Sequence, residues 1–157
     1  MERDGKSSLR HPSSDSRFDA KRDHTIYYLS HPLAPDSYYT FQQNMDHVVH
    51  LIRLFYEEGW HVIAPYHTIC LALPEDNIDY RIVGLEVDCN VCRMIGNVVM
   101  TGHKLSSGMQ HETQQAMTCR SGGIIHNFIG YNDDELRAAL RYLRNGGSLE
   151  SNVQAPL

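Results

Sequence analysis

Apolar residues fall along this chain in four short runs separated by longer periodic stretches, and that alternation predicts the fold. Ile26, Tyr27, Tyr28 and Leu29 form a β-rich run that stops at Ser30-His31-Pro32, as a buried strand ending in a loop does. From about Phe41 to Glu58, Met45, Val48, Val49, Ile52 and Phe55 recur at spacings of three and four. That spacing predicts a helix with one apolar face, ended by Gly59. Trp60 to Pro65 reads as a second short strand, and Tyr66 to Asn77 as a long loop. Asp79 to Ile95 predicts a second helix, with Glu86, Asn90 and Arg93 together on one side and apolar residues over most of the rest. Val98 to Met100 predicts a third strand, Gly108 to about Arg120 a third helix, and Ile124 to Phe128 a fourth strand. A last helix starts at Asp133 and Asp134, with Leu136, Leu140 and Leu143 turned inward. Acids at its start and arginines at its end suit the helix dipole.

The order βαβαβαβα predicts one α/β domain. Its expected form is a doubly wound, flavodoxin- or Rossmann-like open parallel sheet of four to five strands, with right-handed crossovers and helices on both faces. The domain is expected over 25–145. Residues 1–24 mix both charges with Ser and Pro and hold almost no large apolar side chain, which predicts a disordered N-terminal extension, and 146–157 read as a flexible polar tail. With 157 residues, 41% of them hydrophobic, the chain is long enough for one core and short for two.

Charge and cysteine usage narrow the function. A formal net charge of −5 argues against broad electrostatic binding to nucleic acid, which needs a basic face. No apolar run approaches the roughly 18 to 20 residues of a membrane span, and the N-terminus has no apolar stretch of signal-peptide type. A cytoplasmic protein without a membrane partner is expected. Cys89-x-x-Cys92 has the spacing of a zinc or redox pair, but its segment is apolar, helical in period and unaccompanied by a second such pair. Cys70, Cys89, Cys92 and Cys119 therefore read as core thiols. The ten histidines show no tight ligand spacing, so neither metal nor cofactor is expected.

Ligands of such sheets bind at the carboxyl ends of the strands, an edge that carries Tyr28 to Pro32, Pro65 to His67 and His103 to Glu112. In the stretch NVVMTGHKLSSGMQHE, from Asn97 to Glu112, a strand leads through a Gly/Ser loop into a helix. Ser106, Ser107 and Gly108 stand where that helix exposes unpaired N–H groups, a place that attracts anions; N-capping alone also explains serine there. Glu112 falls in the first turn or so, where the dipole and the hydroxyl-rich loop favour an ionised carboxylate, a candidate nucleophile. Asp88 lies on the second helix between Val91 and Cys92 on the helical wheel, roughly in line with Arg81. Either burial raises its pKa and makes it a proton donor, or it is a structural Asp paired with Arg81 or with backbone.

The order Y-L-S-H-P after the first strand, a helix ending in Gly, V-I-A-P, an Asp in the next helix and S-S-G-M-x-x-E from Ser106 to Glu112 resembles the nucleoside 2-deoxyribosyltransferase-like superfamily over roughly Thr25 to Phe128. That superfamily includes deoxyribosyltransferases and nucleoside 5′-monophosphate N-glycoside hydrolases. The resemblance implies an enzyme acting on the N-glycosidic bond of a (deoxy)nucleoside or its 5′-monophosphate. Glu112 would be the nucleophile at the anomeric carbon and Asp88 the acid/base on the departing nucleobase. Tyr28 would orient the Glu carboxylate, or Tyr27 would if the strand register differs by one.

The loops holding Ser30, His31 and Pro32 and His103, Lys104, Ser106, Ser107, Gly108 and Met109 would bind the substrate and its phosphate. Two departures stand out. His31 occupies the place of a glycine common after the first strand, and Ser106 stands where the transferases usually carry Asp and the monophosphate hydrolases Ser. A hydroxyl at a helix N-terminus with Lys104 close by suits a 5′-phosphate. Relatives assemble as dimers or larger, with neighbouring subunits completing the pocket, so a homo-oligomer is expected. The alternative reading is a non-catalytic nucleotide-binding sensor or regulatory module on the same fold, since a fold is not a function.

Overall fold

Four of the apolar runs pair side by side as a parallel sheet. In the computed structural model, which describes residues 25–149 apart from Glu75 and Ser121, the strands are β1 (Ile26–Ser30), β2 (His61–Ile63), β3 (Val98–Met100) and β4 (Ile125–Asn127). The disorder expected of residues 1–24, and all but the first few residues of the expected tail, lie outside the described residues. The spatial order is β2-β1-β3-β4, with Tyr28 opposite both Ile63 and Val98. The two central strands are apolar on both sides: Tyr28, Leu29, Val98 and Val99 have no exposed surface. A parallel sheet covered on both faces demands this.

The helices are α1 (Phe41–Glu57), α2 (Pro65–Ala72), α3 (Ile78–Ile95), α4 (Ser107–Met117) and α5 (Asp133–Arg144). Helices α1 and α5 contact each other on one face, and α2, α3 and α4 form a contiguous layer on the other. Thr40 and Gln43 close a capping box on α1, whose Met45, Val48, Leu51, Leu54 and Phe55 are buried. Gly59, at φ 80°, then turns the chain into β2. At that end of α1 the buried Glu58 receives hydrogen bonds from Arg137 and Arg141 of α5.

Two elements differ from the sequence expectation. The second strand is confined to His61–Ile63, and the segment after it, expected as loop, opens with the helix α2. Pro65 begins that helix, where its fixed φ is favourable and its missing N–H costs nothing. Tyr66 is the one buried residue of α2, which is why no apolar stripe announced it. Helix α3 runs from its Asn77 N-cap to Gly96, in the left-handed conformation at φ 74°. It buries Gly84, Asp88 and Cys92 but leaves Ile82, Val83, Leu85, Val87 and Met94 exposed, so its apolar cover is broader than its packing uses. No helix among the described residues is long and apolar enough to cross a membrane.

Candidate active site

Strand order reverses between β1 and β3: β1 leads away to β2 on one side, and β3 to β4 on the other. The crevice above such a switch point is where this architecture receives ligands. Alternation along β1 sends Tyr27 to one face, against Trp60 at 5.0 Å between ring centroids, and Tyr28 to the other. The Tyr28 hydroxyl donates to Glu112 Oε1 at 2.9 Å. Ser30, at the end of the same strand and on the same face, donates from its hydroxyl to Glu112 Oε2. Both oxygens of Glu112 are thus held from β1. Glu112 is the sixth residue of α4, one position deeper than a start at Gly108 gives and in the second turn. The hydroxyls that reach it come from β1 and not from the Ser106-Ser107 loop, and burial, not the helix dipole, dominates its charge. Desolvation pushes its carboxyl up to about 7, against the lowering effect of the Ser30 and Tyr28 hydrogen bonds.

Asp88 reaches the same place from α3. It is 5% exposed, and burial raises its pKa to about 7, the Tyr28 hydroxyl working in the opposite direction. Its Oδ1 is buried without a hydrogen-bond partner among the described residues. Arg81 makes no ion pair with it among the described residues, and the Tyr28 hydroxyl is its polar neighbour. Tyr28 is kept a neutral phenol by its burial and by the two carboxylates beside it. Tyr66, from α2, donates to Leu29 O at 2.7 Å, and its ring lies tilted at 5.9 Å from that of Tyr28. The sequence had placed Tyr66 on the right edge but in a loop. Cys92 packs in the core behind the site, whereas Cys70, Cys89 and Cys119, expected as core thiols, are half-buried.

Above the carboxyls opens a cavity of about 780 Å³, walled by both Asp88 and Glu112, by the β1–α1 loop and by the start of α4. Ser106 is the N-cap of α4; its hydroxyl accepts from Met109 N at 3.3 Å. The N–H groups of Ser107 and Gly108 belong to the first turn, which has no acceptor within its own helix, and both residues line the cavity with Met109. His31 and Pro32 of the β1–α1 loop line it as well. The His31 ring is buried, its Nδ1 lies 2.7 Å from Pro32 O, and burial lowers its pKa to about 4. Pro32 and Gly102 approach so closely that a Cβ on Gly102 would sit 2.6 Å from Pro32 Cδ.

His103 and Lys104 share one partner that sequence reasoning missed. Asp36 Oδ2 lies 2.7 Å from both His103 Nε2 and Lys104 Nζ, while Oδ1 accepts from Tyr38 N and Tyr39 N at 2.9 Å. These contacts hold the Asp36 carboxyl far below the usual range, with Lys104 the largest cause. Asp36 therefore pins the β1–α1 loop to the β3–α4 loop at the mouth. Lys104 lines the cavity, whereas His103 is turned to Asp36 and the surrounding tyrosines.

No curated protein matches this chain. Among solved structures, the chain is similar to a 2-deoxyribosyltransferase from the psychrotolerant bacterium Bacillus psychrosaccharolyticus. The TM-score is 0.48 and the identity 13%, over 68% of this chain and 75% of that one. At that distance the likeness assigns no residue a role. The model of the family described as "Domain of unknown function (DUF7768)" matches residues 25–122, a span that holds Tyr28, Asp36, Asp88 and Glu112. This chain belongs to that family.

Proposed function

We propose that this protein cleaves or exchanges the N-glycosidic bond of a (deoxy)nucleoside or its 5′-monophosphate. The observation that carries the reading is the pair of carboxyls, the buried Asp88 and the half-buried Glu112, brought from different helices to the Tyr28 hydroxyl in one cavity. Two carboxyl groups so close titrate as a pair, and their surroundings differ. Glu112 accepts two hydrogen bonds, which favour its anion, whereas Asp88 has a buried oxygen with no donor, which favours its acid. In the singly protonated pair the charge therefore rests on Glu112 and the proton on Asp88.

That distribution suits retaining glycosyl chemistry. The Glu112 carboxylate attacks the anomeric carbon; the C–N bond breaks, its electron pair stays on the base nitrogen, and Asp88 gives that nitrogen its proton. Water or a second base then attacks the glycosyl ester and loses a proton to Asp88, which returns the pair to its starting state. Tyr28 and Ser30 hold the Glu112 oxygens for the attack. The free N–H groups of Ser107 and Gly108 suit a 5′-phosphate. Lys104 keeps its charge balanced by Asp36 and lends the phosphate only a shared cation.

Glu112→Ala is the direct test. Turnover of a nucleotide should fall by at least about a thousandfold while its binding persists; turnover near the wild-type rate would remove Glu112 from the mechanism.

A further inference from the structure

Arg81 is a cation in the cavity wall that the chemistry above does not use. It lies on the same face of α3 as Asp88, seven residues earlier, which is about 10 Å along the helix axis. Residues three and four away from it on the helix are Asn77, Ile78, Gly84 and Leu85, none of them an acid. Although the chain carries 19 acidic residues against 14 basic ones, the Arg81 guanidinium has no carboxylate partner among the described residues. Between Arg81 and Asp88, Gly84 carries no side chain and Ile69 of α2 packs over it, where a Cβ would meet Ile69 Cγ2 at 3.3 Å. Ile69 and Leu85 thus make the strip between the two charged groups apolar, and all of these residues line the same cavity.

The strip starts at Asp88, the proton donor to the leaving group, and ends at an unpaired guanidinium. The cavity's other anion-suited place, the start of α4, is on a different element and beside Glu112, the sugar's side of the bond. We infer that the strip is the leaving-group subsite, and that its ligand is a flat heteroaromatic base bearing a carboxylate or phosphate, which Arg81 engages with paired N–H donors. This inference rests on the N-glycosidic reading for its chemistry and can fail independently of it.

The test compares matched ligands that differ only in that charge: nicotinate against nicotinamide ribonucleotide, and orotidine 5′-monophosphate against uridine 5′-monophosphate. Binding is measured by titration calorimetry on wild type and on Arg81→Gln. In at least one pair the wild type should bind the carboxylate-bearing member roughly tenfold more tightly, as charge-assisted hydrogen bonds allow, and Arg81→Gln should bring that ratio close to one. Equal affinities in wild type, a preference that survives Arg81→Gln, or binding of neither member would each overturn the subsite. Equal weakening of both members would also overturn it, by assigning Arg81 to the 5′-phosphate they share. Base release from neutral nucleotides without the preference would discard the subsite and keep the N-glycosidic reading. The preference without any base release would keep the subsite and discard that chemistry.

Discussion

At the scale of single residues, the site is defined by which carboxyl is satisfied. The folded pKa of Asp88, about 7, lies above its ordinary 3.8, so the folded chain holds this proton more tightly than the unfolded chain does. The resulting stability is fully present below about pH 4 and is lost as pH rises through 7. Asp88→Asn removes the buried charge and so that loss. Its Tm should exceed the wild type's by about 3–6 °C at pH 8, with little difference at pH 4; a gap that scanning calorimetry finds independent of pH would contradict the burial argument. Ser106 separates capping from ligand binding. Asp caps a helix as well as Ser does, so Ser106→Asp should leave Tm within about 1 °C and yet weaken a 5′-monophosphate more than the matching nucleoside, by roughly tenfold. Equal weakening of the two would sink the phosphate assignment. Sequence reasoning singled out Asp88 because the helical wheel set it among Val91 and Cys92, but it left open whether Arg81 or backbone would pair with it, a matter that depends on side-chain geometry the wheel does not give. It assigned the hydroxyls around Glu112 to the Ser106-Ser107 loop, because the two that reach it come from β1, more than eighty residues away.

At the scale of elements, the parts with strong periodicity were legible. β1, α1, β3 and α5 stand close to where their apolar patterns put them, since each buries a continuous run or a stripe. Helix α2 was not legible, because eight residues that bury only Tyr66 leave no stripe; Pro65 was the available signal. Asp36 was silent for another reason: its side-chain partners His103 and Lys104 lie some 67 positions on, and nothing local marks the loop. The packing of α1 on α5 shows how such long-range polar contacts matter. Glu58 is 4% exposed, and Arg137 and Arg141 hold its pKa below the usual carboxylate range, with Arg141 the largest cause. Removing its carboxylate leaves Arg141 without that partner and Arg137 with Glu57 alone, while the Arg144 bond to the Glu58 backbone carbonyl is kept. Glu58→Ala should therefore cost about 2 kcal/mol in urea unfolding, and a loss under about 0.5 kcal/mol would show the cluster to be surface decoration.

At the scale of the whole molecule, the sheet order puts the β1 and β3 loops around one crevice, and the α2–α3–α4 layer closes it. That layer leaves an apolar band on α3, including Val83, Val87 and Met94, wider than scattered surface apolar residues need. We propose that it is covered by a second copy of the chain, so light scattering should find a dimer or larger assembly, dissociated by Val87→Glu; a single species of monomer mass would contradict this. The central claim concerns the bond. Purified protein incubated with ribo- and deoxynucleosides and their 5′-monophosphates, with and without a second base as acceptor, should release free base, as followed by chromatography, and Glu112→Ala should release none. Intact substrate after every incubation, with nucleotide binding still measurable, would contradict the enzyme and leave a binding module in its place.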